Sequence, residues 1–177
     1  MRYGWITRLD AYCFTTLLGV ATDAVVNRLG ADPTAMTRRT FDECFWTVDD
    51  PQYAQLAEAG HGVILAEHNG WRAEEEAESL SRGGRLACFY RNVNAVMRFV
   101  YAVDGKVLAA FDPLLDSRPE EGAEPRVLDP WLRGLPFGLH AAEPSAMTLL
   151  ERSTGVRVTR SWLSRRQPAV RLPPLPP

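Results

Sequence analysis

The chain has 177 residues, 46% of them hydrophobic and 24% charged, with a formal net charge of -2. That is long enough to bury a sizeable core, and the balance excludes wholesale disorder. A slightly acidic total gives no global pull toward nucleic acid or an anionic membrane.

No apolar run approaches the roughly 20 residues that span a bilayer. The opening MRYGWITRLD has no apolar stretch behind its arginine, so the expectation is a cytoplasmic protein without membrane attachment. Cys13, Cys44 and Cys88 are odd in number and widely spaced. A disulfide framework needs pairs and a zinc site needs close ligands, so buried thiols are expected, with no metal and no other cofactor. Charge is segregated: residues 42–78 hold ten carboxylates against Arg72 alone, and residues 151–177 hold six arginines against Glu151 alone. These surfaces either pair within the fold or each meet a partner.

In chain order, AYCFTTLL (11–18) reads as a strand, being rich in aromatic and β-branched residues. TDAVVNRLG follows as a short helix with Thr22 as N-cap and Gly30 past its end. ECFWTV and HGVILAE read as further strands, with a helix predicted between them at PQYAQLAEAG, where Pro51 suits a first helical position. EEEAESLSRGG is predicted helical, its glutamates favoured by the dipole in the first turn. The strongest local signal spans residues 86–112, where Asp104-Gly105 demands a type I′ turn between VMRFVYAV and KVLAAFD. RLACFY, turned at Asn92-Val93-Asn94, completes a three-stranded antiparallel meander. Short and long helices are expected near RVLDPWLRGL and EPSAMTLLERSTG, the latter with an apolar stripe through Met147 and Leu150. The expected architecture is α+β, a mostly antiparallel sheet with helices packed on it, a mixed sheet being left open. Residues 1–163 form the expected domain, and residues 164–177, rich in proline and arginine, an extended tail.

Glu67-His68-Asn69-Gly70-Trp71 is the densest chemistry. Adjacent strand residues point to opposite faces, so Glu67 and His68 cannot work as one acid–base pair. Asn69-Gly70 is what a tight turn wants whatever the function. Scaffold explains every residue except Glu67, with Trp71 sealing the sheet against the next helix. The competing reading is a ligand pocket using Glu67 and Trp71, to which Asn92 and Asn94 are weaker additions. Those two asparagines read better as a turn in which Asn tolerates left-handed backbone. Asp112 and Asp116 lack a third ligand and read as loop carboxylates. His61, His68 and His140 show no spacing that would serve a cysteine nucleophile, and no local catalytic motif is present, so no catalytic residue is assigned. LPPLPP has the spacing of a polyproline ligand.

The blocks CFTTLLG, VVNRLGA, GVILAEHNGW, SLSRGGRLACFYRNVNAVMRFVYAVDGKVLAAFDP and STGVRVT, taken together, resemble an uncharacterised family of small actinobacterial, streptomycete-type proteins over residues 5–163. The resemblance implies host and compartment, and carries over no site. The reading favoured by the residues is a non-catalytic interaction module, of immunity, antitoxin or accessory type, that recognises a protein partner. The alternative is an enzyme or small-ligand binder with a pocket near Glu67 and Trp71.

Overall fold

Aromatic, β-branched and leucine side chains fill Tyr12–Leu18, and this strand, β1, lies near the middle of the sheet with both faces covered. The computed structural model describes residues 2–115 and 118–174. Its other strands are β2 (Thr37–Arg39), β3 (Tyr53–Ala59), β4 (Gly62–His68), β5 (Arg85–Arg91), β6 (Met97–Val103), β7 (Lys106–Phe111) and β8 (Gln167–Arg171). They join β1 in one sheet ordered β2-β8-β3-β4-β1-β5-β6-β7. Each neighbouring pair is antiparallel, so the parallel pair left open by the sequence does not form.

Helices cover both faces: α1 (Thr22–Arg28), α2 (Arg72–Glu75), α3 (Ala77–Ser81), α4 (Asp129–Leu132), α5 (Ala142–Thr154) and α6 (Arg160–Ser164). On one face Phe14, Phe89, Phe99 and Phe111 pack with Ala146, Met147 and Leu150 of α5, the predicted stripe. On the other, Leu17, Leu65, Leu86 and Val100 meet Val25 and Val26 of α1 and Leu80 of α3. Alternation along each strand divides the two cores.

The meander forms as expected. Phe89 pairs with Phe99, and Phe99 with Phe111. Asp104 (φ 47°) and Gly105 (φ 80°) make the turn, and Ser81 Oγ accepts a hydrogen bond from the Gly105 N–H at 3.1 Å.

Five local expectations are corrected. The predicted helix at PQYAQLAEAG is strand β3, whose Ala54 and Leu56 join the core beside α1 while Gln55 faces the opposite side. Gly60, at φ 65°, turns it into β4. The predicted strand ECFWTV is a 3-10 turn at Asp42–Cys44 followed by a loop held to the end of β4, where Trp46 N–H donates to the His68 carbonyl at 3.1 Å. Thr22 is the first residue of α1, not its cap; Ala21 occupies that place without a side-chain bond. In the turn after β5 the left-handed residue is Ala95 (φ 60°), not an asparagine. Asn92 instead closes the turn with its side chain, Oδ1 accepting from the N–H groups of Asn94 and Val96, each at 3.0 Å.

The fifth correction concerns the tail. The boundary placed after residue 163 falls inside α6, and the next segment is β8, seated between β2 and β3. Ala169, Val170 and Leu172 are buried there. Residues 175–177, the end of the proline-rich motif, lie outside the described residues.

Candidate functional site

Glu67 ends the inward face of β4 beside α2 and has no solvent exposure. Its Oε1 accepts from the Ala73 N–H, and its Oε2 from the Arg72 N–H and from Gln52 Nε2, each at 2.9 Å. The two backbone donors belong to the first turn of α2, which has no intrahelical acceptor for them. A strand carboxylate therefore does the work of a helix cap. Burial pushes the Glu67 carboxyl up to about 7, against the pull of the Ala73 and Arg72 donors. Gly70 makes the arrangement possible, because a Cβ there would run into Gln52 and Glu67. Arg72 is also buried and donates to the Pro173 carbonyl at 3.0 Å, tying the C-terminal segment to the start of α2.

His68 points to the opposite face, as alternation requires. Its ring stacks on Phe41 at 4.3 Å, with Nδ1 3.2 Å from the Phe41 carbonyl. Burial lowers its pKa. His61 and His140 are exposed. Cys13, Cys44 and Cys88 are buried free thiols, with Cys13 Sγ and Cys88 Sγ 3.3 Å apart between β1 and β5. Asp112 Oδ1 accepts from the Leu114 N–H at 2.8 Å, as a loop carboxylate does, and Asp116 lies outside the described residues. Among the described residues no group of three or more His, Cys, Asp or Glu side chains is placed to hold a metal ion.

Trp71 does not seal the core. It is half-buried at the surface, with Nε1 donating to Glu75 Oε1 at 3.0 Å and its ring meeting Trp46 edge-on at 5.3 Å. With Asn69, Glu74, Tyr90, Asn92 and Val93 it lines an open cleft of about 370 Å³. The cleft thus joins Trp71 and Asn92, while Glu67 lies sealed away from solvent and Asn94 is exposed without lining it. Sequence reasoning missed Glu74, Tyr90 and Trp46. Tyr90 was legible in principle, since it shares a strand face with Cys88 and Leu86, two and four residues back.

Trp46 lines a second depression of about 510 Å³, shared with Val48, Asp49, Asp50 and the Leu172–Pro174 segment. The paired indoles stand between the two hollows. Around them the loops expose apolar side chains: Phe45 is 51% exposed, Val48 84%, Val93 63% and Val96 52%. Part of the charge segregation is settled internally, as Arg166 pairs with Glu43. Asp49, Asp50 and Glu75 remain exposed near the indoles.

An α+β protein with an antiparallel eight-stranded sheet, helices on both faces and an open aromatic cleft at one sheet end is the class these observations define. The chain belongs to DUF6461, a family of unknown function, whose sequence model matches residues 2–170. No curated protein and no solved structure matches it. Among the described residues no helix is long and apolar enough to cross a membrane.

Proposed function

We propose that this chain is a non-catalytic interaction module of the actinobacterial cytoplasm, of immunity, antitoxin or accessory type, that binds a protein partner through the sheet end around Trp46 and Trp71. One observation carries the reading: Phe45, Val48, Val93 and Val96 are exposed in the loops that flank the paired indoles. Apolar and aromatic side chains gathered with a polar rim are what a partner-binding surface presents. Trp and Tyr are also the residues that anchor interfaces. The acidic rim opposes a nucleic-acid phosphate backbone.

The alternative, an enzyme or small-ligand pocket near Glu67 and Trp71, draws support from the raised Glu67 pKa. Against it, the Glu67 oxygens are occupied by three protein donors and no cleft reaches them. Scaffold accounts for Glu67 more fully.

The test compares the wild-type chain with a Trp71→Ala/Val93→Asp variant as bait in the native host. A partner recovered by the first and lost by the second, both chains remaining folded by thermal melt, supports the reading. Equal recovery by both moves the interface elsewhere.

A further inference from the structure

The cleft lined by Trp71 and Tyr90 has on its wall a carboxylate, Glu74, whose one ion pair among the described residues is long and shared. Glu74 is half-buried, its side chain 27% exposed. The nearest cation is Arg98, with Nε 3.8 Å away. That guanidinium is already committed to Glu121, to which it donates through Nη1 at 2.9 Å and Nη2 at 2.6 Å. Burial raises the Glu74 pKa against the pull of Arg98, and the neighbouring Glu75 adds to the rise. A half-buried carboxylate that shares a cleft with an indole and a phenol suits a cation, because aromatic faces attract positive charge and the carboxylate accepts its N–H donors. The adjoining hollow is lined by two carboxylates, Asp49 and Asp50, against one cation, Arg171.

We propose that this cleft receives an arginine or lysine side chain from a basic segment of the partner protein, Glu74 serving as its counter-ion between Trp71 and Tyr90. The proposal rests on the interaction reading above and adds the chemistry of the partner. A protein segment is favoured over a small free cation because Val93, on the cleft wall, is 63% exposed, and Val96 in the same turn is 52% exposed, so a peptide backbone and its neighbouring residues have something apolar to cover.

The experiment is fluorescence anisotropy with labelled hexa-arginine, hexa-lysine and hexa-glutamate peptides at physiological salt, where attraction between distant exposed charges is largely screened. Saturable binding of the basic peptides is expected, with none of hexa-glutamate. Glu74→Gln and Trp71→Ala should each weaken it by about tenfold or more, while Glu78→Gln, which removes an equal charge from the exposed side of α3, should change it less than about twofold. Equal losses in Glu74→Gln and Glu78→Gln would reduce the effect to general charge attraction and overturn the proposal, as would absence of binding. Arginine methyl ester that binds as tightly as the peptide would mark a small-cation site instead. A native partner lost by Trp71→Ala but retained by Glu74→Gln would leave the interaction standing and remove only the cationic assignment.

Discussion

Gly70 and Glu67 approach so closely that a Cβ on residue 70 would stand 2.7 Å from the Glu67 Oε2. Any side chain there must displace both the carboxylate and Gln52, which donates to it. Gly70→Ala should therefore destabilise the fold by about 1–3 kcal/mol through overpacking. Urea denaturation checks this, and an unchanged midpoint would mean that the network yields freely.

Removing the acceptor itself should be as costly. Glu67→Ala leaves the Arg72 and Ala73 N–H groups and Gln52 Nε2 without a partner in a buried site. The expected loss is about 1–3 kcal/mol, the cost of buried donors left unpaired. A variant as stable as wild type would show that these bonds are replaced without cost.

The same carboxyl sets a pH dependence. Its folded pKa is raised to about 7 from an ordinary 4.5, so between those values the folded state holds a proton that the unfolded state has released. The contribution is fully present below about 4.5, declines as pH rises and is gone above about 7. Denaturation from pH 8 to pH 5 should show wild type gaining stability relative to Glu67→Ala. A difference that stays constant or shrinks toward low pH would place the carboxyl's pKa at or below its usual range.

At the meander turn, Gly105 has φ 80°, a conformation that a β-branched residue resists. Gly105→Val should cost on the order of 1–3 kcal/mol. An unaltered thermal melt would mean that the turn accommodates valine.

The meander was legible because Asp104-Gly105 states its turn chemistry locally and Phe99, Tyr101 and Val103 keep a strict alternation. β3 was not: Ala54, Gln55, Leu56, Ala57 and Glu58 favour helix, and pairing with β4 and β8 overrides that preference. β8 was hidden because Arg165, Arg166 and Pro168 crowd a short segment whose Ala169 and Val170 become buried only once β2 and β3 flank them. In the site, Asn69-Gly70 announced its turn, but the destination of Trp71 depends on Trp46, more than twenty residues away, which no local pattern reveals. Glu67 is the residue whose role the local sequence leaves unexplained, because that role depends on helix donors reached only after the Gly70 turn.

Trp71 is half-buried, so its truncation should act on binding more than on folding. Trp71→Ala should lower stability by about 1 kcal/mol or less, measured by urea denaturation. A loss of several kcal/mol would restore the sealing role that the sequence first assigned to it.

The central claim is that the sheet end around Trp46 and Trp71 is where a protein partner docks. The most direct measurement places a photo-crosslinking amino acid at Val93 or, separately, at Leu139, two exposed apolar positions of which only Val93 lines the Trp71 cleft. After irradiation in the native host, a discrete adduct with one protein should form from position 93 and not from position 139. Adducts of equal yield from both positions, or from position 139 alone, would contradict the claim.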